Sequence, residues 1–96
     1  MKYSFHPSAR TDLNSSVDYY EERKAGLGLE FSKEVFSAIQ RIIQFPDSWP
    51  KLSKNTLRCL TNRFPYGIIY HIVEDEVIII AVMHLNRKPG YWRDRI

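Results

Sequence analysis

The sequence predicts an α+β fold of order β-α-α-β-β-β, in a single domain spanning residues 1–96. Three observations predict it. Two apolar stripes of helical period fill the first half, one from Ala9 to Tyr20 and one from Phe31 to Ile42. Two β-branched runs, Tyr66 to Val73 and Val77 to Met83, fill the second half, with only Glu74-Asp75-Glu76 between them. Between the halves, Pro46 and Pro50 interrupt either pattern.

Lys2 to Phe5 alternates polar and apolar, as a short first strand does. His6-Pro7-Ser8 then opens a helix: proline suits the first turn, His6 takes the cap, and Ser8 and Asp12 favour the positive end of the dipole. Ala9, Leu13, Val17 and Tyr20 form its apolar stripe, with Tyr19 outside, and Glu21 to Lys24 close its solvated side. Ala25-Gly26-Leu27-Gly28 breaks the chain, with Gly26 as a C-terminal cap. A second helix runs from about Leu29 to Gln44 and turns Phe31, Val35, Ala38, Ile39 and Ile42 to the sheet, so the helices form an antiparallel hairpin.

Phe45 to Pro50 is a connecting loop that folds Trp49 onto the core. Thr56–Arg63 reads as a strand, and Tyr66–Val73 and Val77–Met83 as an antiparallel hairpin on a mainly antiparallel sheet. Strict alternation puts Ile78, Ile80, Val82 and His84 on one face of the last strand, and Val77, Ile79, Ala81 and Met83 on the other. Both faces being apolar makes that strand central. If the preceding strand is unbroken, Arg58, Arg63, His84 and Arg87 line one open face, and Arg63, Pro65 and Gly67 alternate onto a common side.

With 44% apolar and 26% charged residues the chain is an ordinary globular one, and disorder is not expected. No apolar run approaches the roughly 18–20 residues of a membrane span, so no membrane association is expected. The single cysteine, Cys59, excludes an internal disulfide and a multi-cysteine zinc site, fits a cytoplasmic location, and reads as a small half-buried strand residue. His6, His71 and His84 have no metal-ligand spacing, so neither metal nor other cofactor is expected, and His71 reads as a sheet residue.

Charge is unevenly divided. Residues 1–50 carry six Lys/Arg against seven Asp/Glu, and residues 51–96 carry eight against four. The excess gathers where the last strand ends: His84, Arg87, Lys88, Tyr91, Trp92, Arg93 and Arg95 follow within a dozen residues, and Asp94 is the one acid among them. Such a cluster suits a polyanion or an acidic protein. It is equally the composition of a solvated basic end, with His84 a structural strand-end histidine and Tyr91 and Trp92 packed back on the sheet.

The segments FHPSARTDL, YYEERKAGLG, RFPYGIIYHI and AVMHLNRKPGYW, in that order, resemble the RelE/ParE superfamily of bacterial toxins over nearly the whole chain. The resemblance implies the β-α-α-β-β-β fold and membership of a type II toxin–antitoxin module, with a cognate antitoxin as partner. It implies one of two targets: ribosome-bound mRNA, cut by a metal-independent endonuclease, or DNA gyrase, inhibited by binding alone. The antitoxin is expected to be acidic in its C-terminal half and to cover part of the helix hairpin and a sheet edge.

Cleavage through a 2′-hydroxyl needs a proton acceptor, a proton donor and a cation for the phosphorane. Imidazole is the side chain that ordinarily titrates near neutrality, so His84 is the candidate for proton transfer. Arg87 and Arg63 are the candidate catalytic phosphate clamps. Arg58 and Arg93 are candidates for flanking phosphates or target contacts, and Tyr91 and Trp92 for stacking on a base. The sequence departs from the nuclease pattern at Gly67, where those enzymes carry an arginine, and at Leu60, where they carry a second basic residue.

Overall fold

A computed structural model describes residues 1–96. Strand β1 (Lys2–Phe5) leads into helices α1 (Pro7–Arg23) and α2 (Leu27–Gln44), followed by strands β2 (Leu57–Leu60), β3 (Tyr66–Val73) and β4 (Glu76–His84) and a short 3-10 turn, Arg93–Arg95. The four strands form one sheet in the order β1-β4-β3-β2. β1 lies parallel to β4, and the other neighbours are antiparallel. Both helices pack on one face, the inner face, around Leu13, Phe31, Val35, Ile39, Tyr70 and Ile79. The expected α+β order and the central β4 are therefore as the pattern predicts. No helix is long and apolar enough to cross a membrane.

The helix ends are set by side chains. His6 is the N-cap of α1, its Nδ1 accepting from the Ser8 amide at 3.0 Å. Gly26 adopts a φ of 88° and stands as the N-cap of α2, not as a C-terminal cap of α1, and α2 starts at Leu27. Glu21 reaches back from α1 to accept from the Gly26 and Gly28 amides at 2.9 and 3.0 Å, placing a carboxylate at the positive end of α2. Gly28 permits the hairpin to close, because a Cβ there would stand 2.7 Å from the Val17 carbonyl oxygen.

Three expectations about the sheet are corrected. First, β2 ends at Leu60 and does not run to Arg63. Thr61 turns inward, its hydroxyl donating to the Phe64 carbonyl at 2.6 Å, and this breaks the strand before Pro65. Second, strict alternation fails in β4. Ile69 opposes Ala81 but Tyr70 opposes Ile79, so Ile80 is an inserted residue, a β-bulge. The bulge resets parity: Val77, Ile79 and Val82 face the helices, whereas Ile80, Ala81 and Met83 face outward. Third, the outer face is not open. Trp92, only 3% exposed, covers Ile69, Ile80, Ala81 and Met83, with Tyr91 and Ile78 at the margin. Cys59 is fully rather than half buried, and burial pushes its thiol pKa up.

The loop after α2 is fixed by the Tyr70 hydroxyl, which donates to the Pro46 carbonyl at 2.6 Å, and Trp49 packs against the core as expected.

Candidate functional site

His84 stands at the end of β4, opposite Tyr66 in the β3 register, and their rings meet edge to face at 5.1 Å. Tyr66 belongs to an aromatic cluster with Tyr20, Phe31 and Phe64. Burial, then the neighbouring Tyr66, raises the Tyr20 pKa to about 12, so Tyr20 is a neutral wall. The Nδ1 of His84 accepts from the Asn86 amide at 3.0 Å, which orients the ring.

Two adjoining hollows share His84, Tyr66, Ser15 and Ser16. The larger, about 470 Å³, extends past Tyr19 and Tyr20 to Arg23 and Leu27. The smaller, about 250 Å³, extends to Asp12, Val82 and Arg87. They make one groove along α1 with a cation near either end. Asp12, Ser15, Ser16, Tyr19 and Arg23 form its α1 wall, and sequence reasoning singled out none of them as site residues. Their signal was present as a polar stripe of helical spacing beside the apolar one.

Asp12 is not a dipole residue in the first turn. Its Oδ2 accepts from the Val82 amide at 3.2 Å, from the Tyr91 hydroxyl at 3.3 Å and from Arg95 at 2.7 Å. Arg95 also donates to the Ile80 carbonyl at 2.9 Å. β1 gives way to α1 beside Ile79, so the edge of β4 beyond it has no strand partner. The Asp12–Arg95 pair supplies the missing donor and acceptor at the bulge. Burial and then the Asp12 charge raise the Tyr91 pKa to about 12.

The structure brings together some of the predicted site residues and separates others. His84 and Arg87 line the same hollow. Arg87 also lies over the Tyr91 ring at 3.5 Å. Arg63 sits in the turn after β2 and is engaged with Glu30 of α2 through two contacts of 3.2 and 3.4 Å. By hydrogen bond and then by charge, Arg63 lowers the Glu30 pKa and Glu30 raises that of Arg63. Arg58 opposes Ile69, an outer-face residue, whereas His84 opposes Tyr66 on the inner face. The predicted common face of Arg58, Arg63, His84 and Arg87 therefore does not form. Trp92 is buried in the outer cluster, and Arg93 is exposed in the terminal turn. No three His, Cys, Asp or Glu side chains are grouped as metal ligands.

Comparison with known proteins supports one family. A family model described as the ParE toxin of type II toxin–antitoxin system, parDE, matches residues 3–89. A solved chain from the chromosomal ParDE toxin–antitoxin system of P. aeruginosa superposes with a TM-score of 0.76, over 90% of this chain and 97% of that one. At 15% identity this likeness carries the fold alone. No curated protein sequence matches. With four family segments in order, the same strand and helix arrangement, and a family model spanning nearly the whole length, the chain belongs to the ParE toxin family of type II toxin–antitoxin systems.

Proposed function

We propose that this chain is a growth-arresting toxin, neutralised by a cognate antitoxin, that acts by binding DNA gyrase rather than by cutting mRNA. The observation that carries the reading is the dispersal of the cations. In-line cleavage needs a proton-transfer group and at least one guanidinium converging within about 3 Å of the reacting atoms. Of the two arginines considered as the clamp, Arg63 is engaged by Glu30 and Arg87 is laid over the Tyr91 ring, while Arg58, considered for a flanking phosphate, is on the other face of the sheet. Gly67, standing where the nucleases carry arginine, adds no further cation. A docking toxin needs no such convergence. It needs a stable surface with a charged rim, and the basic C-terminal segment with Arg87, Lys88 and Arg93 exposed is of that kind.

Purified chain added to DNA gyrase and relaxed plasmid is expected to suppress supercoiling, and His84→Ala is expected to retain that effect. Primer extension on a reporter transcript after brief expression is expected to show no new 5′ ends. New ends within translated codons that vanish in His84→Ala would overturn the proposal.

One observation favours the cleavage reading. His84 and Arg87 share a hollow, and the His84 Nδ1 is already occupied, leaving Nε2 as its remaining ring nitrogen. The same primer extension decides between the two.

A further inference from the structure

At the β2 edge, well apart in its residues from the His84 groove, a second cavity of about 620 Å³ opens between α2, the 45–50 loop and the turn after β2. Arg41, Trp49, Arg58, Thr61 and Asn62 line it, and no acidic residue does. We propose that this cavity is a binding site for a nucleoside phosphate, with the phosphate held by Arg41 and Arg58 and the base laid against Trp49.

Three arginines of this chain are half-buried: Arg41, Arg58 and Arg95. Arg95 has Asp12 as counterion, but the only other ion pair joins Arg63 to Glu30, so Arg41 and Arg58 have none. Arg41 donates to the Ser37 hydroxyl at 3.2 Å and to the Leu60 carbonyl at 3.1 Å, both neutral acceptors. Glu34, one acid of α2 that reaches the neighbouring turn, commits its Oε1 to the amides of Asn62 and Arg63. Two partly desolvated guanidiniums on one cavity, without a carboxylate, form a site that an oxyanion stabilises and a neutral ligand does not.

Arg58 is laid across Gly67: a Cβ there would stand 2.8 Å from its Cδ and 3.0 Å from its Cγ. The missing side chain at position 67 thus seats the Arg58 stem on the sheet and limits its freedom. Arg41 is tethered to the β2 edge through Leu60. The Arg41 fork and the Arg58 stem are held before any ligand arrives, which lowers the entropy lost on binding.

Size and aromatic character give the rest of the ligand. A cavity of about 620 Å³ is far larger than a bare phosphate and falls within the ~300–1,000 Å³ of small-molecule sites. Trp49 forms one wall, and because its indole nitrogen is buried, it is the ring and not the N–H that it offers a ligand. An aromatic wall beside paired guanidiniums matches a planar base joined to a phosphate. The nucleoside phosphate could be a free mononucleotide or one residue of a nucleic-acid strand. The site shares no lining residue with the His84 groove, so its test is independent of the toxin's target.

The test is an amide and indole NMR titration of the full chain with adenosine monophosphate, inorganic phosphate, adenosine and a short single-stranded oligonucleotide. Saturable shifts centred on the Trp49 indole and the Arg58 and Asn62 amides are expected with the mononucleotide, and at least tenfold weaker binding with phosphate or adenosine. Arg41→Gln and Arg58→Gln, each with an otherwise unchanged spectrum, are expected to weaken binding at least tenfold. Tighter binding of the oligonucleotide than of the mononucleotide assigns the site to a strand, and the reverse assigns it to a free nucleotide. Non-saturating shifts spread over surface cations overturn the proposal, as does equal affinity for mononucleotide and inorganic phosphate, or full affinity in both variants.

Discussion

Asp12 and Arg95, 83 residues apart in the chain, meet at 2.7 Å on the edge of β4, with 9% and 14% of their side chains exposed. One carboxylate from the first helix and one guanidinium from the last turn together close the only irregularity in the sheet.

That closure predicts an asymmetry between variants. Asp12→Ala leaves Arg95 partly buried without a counterion and the Val82 amide without an acceptor, and is expected to cost about 3 kcal/mol. Arg95→Met, which keeps the apolar stem and removes the charge, is expected to cost less in combination with Asp12→Leu than either change alone. Urea denaturation of the two single variants and the double variant checks this, and simple additivity would contradict it.

Trp92 is expected to be the largest single contributor on the outer face. Trp92→Ala uncovers Ile69, Ile80, Ala81 and Met83 and is expected to cost about 3–5 kcal/mol, with dye binding by the exposed strip. Chemical denaturation with a fluorescent apolar probe would register both changes. A loss below about 1 kcal/mol would mean that the terminal segment is not bound on the sheet in solution.

Gly67 bears both on the seat of Arg58 and on transcript cleavage. Gly67→Ala is expected to cost about 1–2 kcal/mol, since the Arg58 stem has to move away from the new Cβ. Gly67→Arg, which restores the residue type of the nucleases, is expected to displace Arg58 further and to produce no transcript cleavage. Primer extension and a melting curve on the same preparations read both outcomes.

Stability should fall at both ends of the pH range, for different groups. Burial lowers the His71 pKa, so the unfolded chain takes up its proton first as pH drops. The contribution of His71 is therefore complete above its ordinary value near 6.5 and is lost as pH falls through the lower folded value. His71→Phe is expected to flatten the acid limb of a stability–pH curve. For Tyr91, whose pKa is raised from 10.0 to about 12, the sign reverses: its contribution is complete below pH 10 and is lost as pH rises towards 12. Tyr91→Phe is expected to remove part of that alkaline loss, read as the change in urea midpoint between pH 9 and pH 11.

What could be read from the chain itself follows a physical division. The stripe of Phe31, Val35, Ala38, Ile39 and Ile42 lies on the core because helical periodicity is a local property, and the two apolar runs form β3 and β4 for the same reason. The bulge at Ile80 was not legible, since in VIIIAVM every residue suits a strand and one inserted residue leaves no mark on the pattern. Missing it put Ala81 and Met83 with the wrong neighbours and left the outer face looking open. The partnership of Arg63 with Glu30 spans 33 residues, beyond any local spacing rule. Trp92 illustrates the limit differently: its two readings, exposed stacking platform and packed cover, were both open until the strip beneath it was known.

The parallel pairing of β1 with β4 has a consequence in time. The first strand of the chain is hydrogen-bonded to the last one, and β4 also separates β1 from β3. While the chain is still emerging from the ribosome, neither β1 nor the β2–β3 pair has the central strand it packs beside. The sheet is therefore completed only when β4 becomes available, in one long-range step. A chain that stops short of β4 lacks the strand on which both the helix-side core and the Trp92 cover rest.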